Sequence, residues 1–422
     1  MLVVKHIEEN RDAVVALLAV KGFDAGELVD QLLLADVRRK KLQSQFDALQ
    51  AEVNAKSKEI GALIKSGQQV QSEAIKKEVA ATKELVAGLA REQEAAEQAL
   101  RELLVQIPNL PHDSVPLGKT ANDNQTVRTG GVMPVLSADA LPHWELAKKY
   151  DLIDFESGVK ITGAGFPVYK GKGARLQRAL INFFLDCAQN AGYREVIPPL
   201  IVNEDSGFGT GQLPDKEGQM YHVGLDNFYL IPTAEVPVTN IYRDTILEAT
   251  DFPVRLTAYT PCFRREAGSY GKDVRGLNRL HQFDKVEIVR IEHPDSSYQA
   301  LEEMVSYVET LVQKLELPYR IIKLCGGDMS FASALTYDFE VFSAAQKMWL
   351  EVSSVSNFEY FQANRLKLRF RDQNKKPQLA HTLNGSALAL PRIVAALLEN
   401  GQKKNSISLP KILHKYTEFE SI

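Results

Sequence analysis

The stretch TPCFRREAGSYGKDVRGLNRLHQFDKVE, Thr260 to Glu287, sets two strand-like segments on either side of a glycine-broken basic loop. A surface hairpin has no need of Arg264 and Glu266 two residues apart. On a strand, residues i and i+2 point to the same face. A cation and an anion are therefore expected to share one face at the mouth of a sheet. That arrangement suits a ligand carrying both a phosphate and an adenine.

The rest of the chain gives this stretch its setting. With 422 residues it is too long for one ordinary core, so two or three domains are expected. Apolar content of 45% and charged content of 25% belong to a soluble globular protein. A net charge of −4 says little about partners, so any nucleic-acid contact must come from local patches. Cys187, Cys262 and Cys325 lie far apart, without metal-ligand spacing, and an odd number argues against a disulfide framework. They read as small buried hydrophobes in a reducing compartment. The opening MLVVKHIEEN lacks the apolar run of a signal peptide, and no stretch of 18 apolar residues reads as a membrane span. A cytoplasmic location is expected.

From about Glu27 to Ile107 there is no proline, and helix formers dominate. Apolar residues fall at Leu42, Phe46, Leu49, Val53, Ile60 and Leu63. A second series runs Ile75, Val79, Val86, Leu89, Ala96, Leu100, Leu103 and Ile107, with Thr82 and Gln93 filling its gaps. Both keep a heptad period, and Ser66 and Gly67 break the pattern between them. The pattern predicts two long helices folded back as an antiparallel coiled coil, each arm reaching roughly 60 Å. Basic residues decorate it: Arg38, Arg39, Lys40, Lys41, Lys56, Lys58, Lys65, Lys76, Lys77 and Lys83. They are either a solvated face paired with glutamates or a phosphate-contacting arm, and composition does not choose.

The segment IPNLPHDSVPLGKTANDNQ, with Pro108, Pro111 and Pro116, is the clearest boundary in the chain. Three parts follow: an N-terminal domain 1–107 with its arm over about 27–107, a linker 108–130, and a domain 131–422. In the last, GARLQRALINFFLDCAQNAG and SSYQALEEMVSYVETLVQKLEL read as amphipathic helices, the second with Ser296 as cap and Gln299 three residues on. Strand signals occur in YREVIPPLIV, FYLIP, RLTAYTPCFRR, LHQFDKVEIVRIE, YRIIKLC, YDFEVFS, WLEVSSVS and RLKLRFR. Many follow one another with only a loop between, which indicates an α+β domain with a mostly antiparallel sheet flanked by helices.

Common phosphate motifs fail. GAGFPVYKGKG has five residues between Gly165 and Gly171 and places Gly173 where a P-loop needs Ser or Thr. No G-x-G-x-x-G fits, and there is no H-E-x-x-H, C-x-x-C or G-x-S-x-G. If phosphate is bound, arginines must bind it.

Three pieces, in order, resemble the motifs of the class II aminoacyl-tRNA synthetases. NAGYREVIPP resembles motif 1, a helix running into a strand that ends in proline. CFRREAGS with LHQFDKVE resembles motif 2. LNGSALALPR, with Gly385, Ala387, Ala389 and Arg392, resembles motif 3. GTGQLP, IPTAEVPVTN, EVSSVSNFEYFQANR and HTLNGSALALPR look like the seryl-tRNA synthetase family in particular. That family also begins with a long antiparallel coiled coil, so the resemblance covers nearly the whole chain. It implies formation of seryl-adenylate from L-serine and ATP with Mg²⁺. Serine then passes to the 3′ end of tRNA(Ser), and also to the selenocysteine tRNA. Motif 1 implies a homodimer.

The resemblance also implies roles. Arg264 would hold the α-phosphate and the serine carboxylate, both of which suit a planar fork. Glu266 would accept from the adenine amino group, Phe283 would stack on the ring, and Arg392 would cover its other face and touch the γ-phosphate. Arg265 and the run Glu351, Val352, Ser353 and Ser354 complete the ATP site, with Glu351 and Ser354 on Mg²⁺. Serine recognition would use Thr233, Ala234, Glu235, Arg264, Glu287, Asn384 and Ser386, with Glu287 on the hydroxyl; the plainer reading of Glu287 is an ordinary strand salt bridge to Lys285. Arg264, Glu351 and Arg392 would carry the chemistry. The glycine-rich span from Ala267 to Arg279, with Lys272, Arg275 and Arg279, would receive ATP and then the tRNA end, while the rod would reach the long variable arm of the tRNA. Two departures stand out. Arg265 replaces a frequent serine and is expected to point away, and Ser386 stands where threonine is also common. A relative that charges a non-tRNA acceptor would keep the adenylate site and lose the arm. A non-enzymatic descendant would show decay of Arg264, Glu266, Glu351 or Arg392, and none has decayed.

Overall fold

The structure, a computed structural model, describes residues 1–215, 217–267 and 275–422. Lys272 lies outside the described residues. The chain divides into two compact units, Met1–Ala19 with Phe23–Pro108, and Val20–Gly22 with Asn109–Ile422.

In the first unit, two short helices, α1 (Val4–Glu9) and α2 (Arg11–Val20), precede the long pair α3 (Gly26–Lys65) and α4 (Gln69–Leu104). At 1.5 Å per residue α3 is about 60 Å long. Ser66 and Gly67 form the turn, as the sequence pattern predicts. Leu42, Val53, Val79, Ala96 and Leu100 are buried along the seam. Thr82 fills a heptad gap at little cost, because its hydroxyl donates to Glu78 O at 3.0 Å. Gln93 donates to Gln43 across the hairpin, a polar pair that specifies register better than another apolar contact would. The basic residues divide into two groups. Lys40, Lys56 and Lys76 are tied to carboxylates, and Arg39 to Asp36. Arg38, Lys41, Lys58, Lys65, Lys77 and Lys83 are exposed and make no ion pair among the described residues.

The second unit is built on eight strands. They are β1 (Gln125–Gly130), β2 (Arg194–Glu195), β3 (Val254–Phe263), β4 (Gln282–Glu292), β5 (Tyr319–Lys323), β6 (Leu335–Ser343), β7 (Met348–Asn357) and β8 (His381–Ala389). Their spatial order is β1-β5-β6-β7-β8-β4-β3-β2. Every neighbouring pair is antiparallel except β2 with β3. Helices α5 (Gly171–Asn190), α6 (Ser297–Lys314) and α7 (Leu390–Asn400) pack on one face. Phe183, Leu301, Met304, Ile393 and Leu397 from these helices share a core with Val286, Ile288, Phe339, Val341 and Val355 from the strands. Strand alternation then turns Phe283, Lys285 and Glu287 to the opposite face, where Val289 meets Ala234 and Ala258.

Several local expectations differ from the fold. Residues 108–130 are not a free linker. Asn109 donates its side-chain amide to Ala332 O and Phe358 O at 2.9 and 2.8 Å, and 125–130 forms the edge strand β1. Proline content marked where the chain leaves the rod, but β1 gains its ladder from residues almost 200 positions away. YREVIPPLIV is two short strands interrupted at its prolines, which cannot donate to a ladder. RLKLRFR begins inside the helix Tyr360–Leu366, and only Arg369–Arg371 is strand. Ser296 does not cap α6 with its side chain, because a 3₁₀ turn over Pro294–Ser296 gives it helical rather than extended torsions. The small residues Gly385, Ala387 and Ala389 of the third motif lie on β8, and α7 starts at Leu390.

Candidate active site

The sheet face opposite α5, α6 and α7 carries a buried polar cluster. Lys285 and Glu287 sit two residues apart on β4 and so project together. Their side chains meet at 2.5 Å with Glu287 only 2% exposed. Thr233, from the loop after Leu230, donates to Glu287 at 3.3 Å and accepts from Lys285 at 2.7 Å. Ser386 on β8 is the cross-strand partner of Glu287, and Asn384 lies two residues before it on the same face. Glu235 begins the helix Glu235–Asn240 and is also buried. Its carboxylate accepts from Gln362 at 2.6 Å and from Asn384. Gln362 is held in turn by Thr210 O at 3.1 Å and the Thr382 hydroxyl at 2.7 Å. Burial first, and the nearby Glu287 charge second, push Glu235 up to about 7. Two buried carboxylates with one buried lysine leave a net negative pocket, suited to a small ligand with an ammonium and a hydroxyl.

The arginines stand at the mouth of this pocket. β3 ends at Phe263, and Glu266 has a left-handed backbone with φ of +48°. Arg264 and Glu266 are thus not alternate residues of one strand, and the same-face argument does not apply to them. Arg264 is placed by other means. Its N–H donates to His281 O at 2.9 Å, its Nε–H donates to Pro232 O at 3.3 Å, and its guanidinium lies 5.3 Å from the centre of the Phe283 ring. Only the terminal nitrogens remain to meet a ligand. Glu266 pairs with Arg279 at 3.0 Å across the base of the loop. Arg265 is exposed, with its N–H bonded to Gln219 O at 2.8 Å. Gly165 of GAGFPVYKGKG serves packing here. Gly165 has φ of +85°, and a Cβ on it would fall 2.4 Å from the His281 ring. His281 N–H donates to Gly165 O, and its Nδ1 lies 3.1 Å from Arg264 O.

On the β6–β7 side, Arg392 in the first turn of α7 donates from Nε to Asn278 O at 3.0 Å and from Nη1 to Glu351 O at 2.7 Å. Its Nη1 is 3.8 Å from the exposed Glu351 carboxylate. Ser354 faces Asp338 across the two strands and hydrogen-bonds to it. Asp338 is buried, and its Oδ1 has no hydrogen-bond partner. Burial, then the charge of Glu351, push this carboxyl well above the usual range. Glu351, Ser354 and Asp338 offer only oxygen donors, sparsely placed, which fits magnesium sharing its shell with phosphates. Among the described residues no cluster of three or more His, Cys, Asp or Glu would hold a metal alone.

Not every residue expected at the site offers its side chain. Ala234 and Val352 are buried in apolar clusters, so only their backbone can meet a ligand. The Ser353 hydroxyl is spent on Ser386 O at 2.6 Å. Gln362 and Asp338 are the residues that sequence reasoning missed. Lys285 is read from the sequence only as an ordinary strand partner of Glu287, as Lys-x-Glu on a strand is a same-face pair. Gln362 and Asp338 reach the site only through tertiary packing.

Comparison with known proteins points to one family. Residues 221–401 match the model of the tRNA synthetase class II core domain (G, H, P, S and T), and residues 1–111 that of the seryl-tRNA synthetase N-terminal domain. The serine–tRNA ligase of Salinibacter ruber is 52% identical, over 100% of this chain and 99% of its own. That of Geobacter sulfurreducens is 45% identical, over 99% and 98%. The crystal structure of seryl-tRNA synthetase from Pyrococcus horikoshii complexed with ATP superposes with a TM-score of 0.90 at 34% identity, over 100% of this chain and 99% of that one. A coiled-coil hairpin, a mostly antiparallel class II sheet and a polar pocket beside a motif 2 arginine thus occur together in a chain that belongs to the seryl-tRNA synthetase family.

Proposed function

We infer that this chain is a serine–tRNA ligase, which activates L-serine with ATP and transfers it to tRNA(Ser). The observation that carries the reading is the buried Thr233–Lys285–Glu287 cluster, with Glu235 beside it, directly below Arg264. Glu287 accepts the serine hydroxyl, and Glu235 with Thr233 receives the ammonium. A pocket built to bond a hydroxyl rejects alanine by leaving its own buried polar atoms unpaired, worth about 10⁴-fold in such sites.

The serine carboxylate is ionised at neutral pH and needs no general base. Arg264 aligns it with the α-phosphorus. A carboxylate oxygen forms the new bond to phosphorus, the α–β bridging bond breaks, and pyrophosphate leaves. Catalysis is positioning and charge neutralisation. Phe283 stacks on the adenine, Glu266 reads its amino group, and Arg392 meets the γ-phosphate. Glu351 and Ser354, with Asp338 alongside, would hold Mg²⁺. When bound, the ion neutralises phosphate charge. A hydroxyl at the 3′ end of the tRNA then attacks the seryl carbonyl and releases AMP. The exposed, unpaired cations of the rod suit the phosphates of a distant tRNA arm. The same surface would serve the selenocysteine tRNA, and it weighs against a non-tRNA acceptor. Exposed apolar residues around motif 1, with Ile197 90% exposed, favour a homodimer. Free cysteines throughout suit the cytoplasm.

The test is amino-acid-dependent exchange of pyrophosphate into ATP, run across all twenty amino acids, followed by charging of tRNA(Ser). Exchange with serine alone, then charging, is expected. Exchange with no amino acid would overturn the reading.

A pH dependence follows from Glu235. An ammonium ligand needs its carboxylate ionised. With a value of about 7, about a tenth is ionised at pH 6 and about nine-tenths at pH 8. KM for serine should therefore be ~10-fold higher at pH 6 than at pH 8. The sign for stability is opposite. The folded state holds this proton above the usual carboxylate range, so the contribution to stability is full at low pH and falls as pH rises through about 7. Glu235→Gln should flatten the KM profile. A profile unchanged by that substitution would remove Glu235 from the ammonium site.

A further inference from the structure

The chain re-enters the sheet after the motif 2 loop by resting on a histidine and a glutamate from distant segments. His143 opens the helix His143–Lys149, and Glu399 lies near the end of α7. Both side chains are fully buried. The Leu277 N–H donates to His143 Nε2 at 2.8 Å, so that nitrogen carries no proton and Nδ1–H donates to Glu399 Oε1 at 2.9 Å. Glu399 also accepts from the His143 backbone N–H at 2.9 Å, the Ser343 hydroxyl, the Ala345 and Gln346 N–H groups at 3.2 and 3.3 Å, and the Gln346 amide at 3.1 Å. Burial opposes its charge, and the bonds from His143 and Ser343 outweigh it, holding the carboxyl below its ordinary range.

A carboxylate with that many donors has one orientation available to it. The imidazole is thereby held in one tautomer and one plane, and the chain lies tightly against it. Gly276 has φ of +63°, and a Cβ there would fall 2.2 Å from His143 Nε2. The next link is Asn278, whose side-chain amide donates to Gln346 Oε1 at 2.8 Å. Its backbone carbonyl is the acceptor for Arg392 Nε at 3.0 Å. The path runs Glu399, His143 and Gln346, then Leu277 and Asn278, then Arg392.

We propose that the buried His143–Glu399 pair is a positioning element for Arg392. It anchors residues 276–278 so that the Asn278 carbonyl holds the guanidinium where the ATP phosphates arrive. The pair touches no substrate and acts only through this carbonyl. The proposal rests on the reading that Arg392 contacts ATP. A carboxylate buried at this expense in donors, far from the reacting atoms, has its explanation in the arginine at the end of the chain of bonds.

The test uses the full chain and serine-dependent pyrophosphate exchange, with His143→Gln and Gln346→Ala, each alone and combined with Arg392→Ala. Gln346 is only partly buried, so its variant tests the same link should His143→Gln fail to fold. Either single variant is expected to raise KM for ATP about tenfold and leave KM for serine unchanged. In the Arg392→Ala background it should add nothing further. Effects that multiply with Arg392→Ala, or that move both KM values equally, would overturn the positioning role alone. An unchanged KM for ATP in Arg392→Ala itself would overturn the phosphate reading and the proposal with it.

Discussion

Glu287→Ala is expected to abolish serine-dependent pyrophosphate exchange and to destabilise the protein at the same time. Glu287 is the counter-ion of Lys285, itself buried, at 2.5 Å. Removing one member of a buried pair leaves an uncompensated charge and costs about 3–5 kcal/mol. Urea unfolding of Glu287→Ala measures this cost. The double variant Glu287→Ala with Lys285→Met separates the two roles. It should recover most of the stability, because both charges are gone, and still show no exchange. Exchange restored in the double variant would reduce Glu287 to a structural partner of Lys285.

Arg264→Ala should lower kcat/KM for exchange by ~10³-fold or more, the range seen when a preorganised cation or donor is taken from developing charge. Arg264→Lys should rescue little of it. The planar fork is set by Nε on Pro232 O and by the Phe283 ring, and an ammonium reproduces neither. Because Arg264 is half-buried and forms no ion pair among the described residues, its loss should shift stability by no more than about 1 kcal/mol. A loss of exchange below tenfold with the fold intact would move the α-phosphate role to another residue.

Much of this was legible in one dimension. The heptads of α3 and α4 needed only their period and the Ser66–Gly67 break. The alternation of β4 displays Phe283, Lys285 and Glu287 on one face to anyone who counts in twos. Where reasoning stayed local but geometry did not, it failed. Arg264 and Glu266 looked like a strand pair, yet β3 stops at Phe263 and Glu266 turns left-handed. Gly385, Ala387 and Ala389 had the spacing of small residues without a sign of which element would carry them. Their place between β7 and β4 in the sheet explains the need for small side chains better than a helix would.

By itself, the sequence determined the coiled-coil hairpin and the mostly antiparallel sheet, because each is written in spacings of two to seven residues, while the site residues came from a family resemblance. Only the tertiary structure decided that Glu287 and Lys285 are buried together with Thr233, that Gln362 holds Glu235, that Asp338 keeps an oxygen without a partner, and that β1 lies in the sheet. It alone joined His143 to Glu399, 256 positions apart. The physical reason is the same in each case. A buried polar atom must find its partner within about 3 Å, and strand order, which no local pattern records, decides which partner that is.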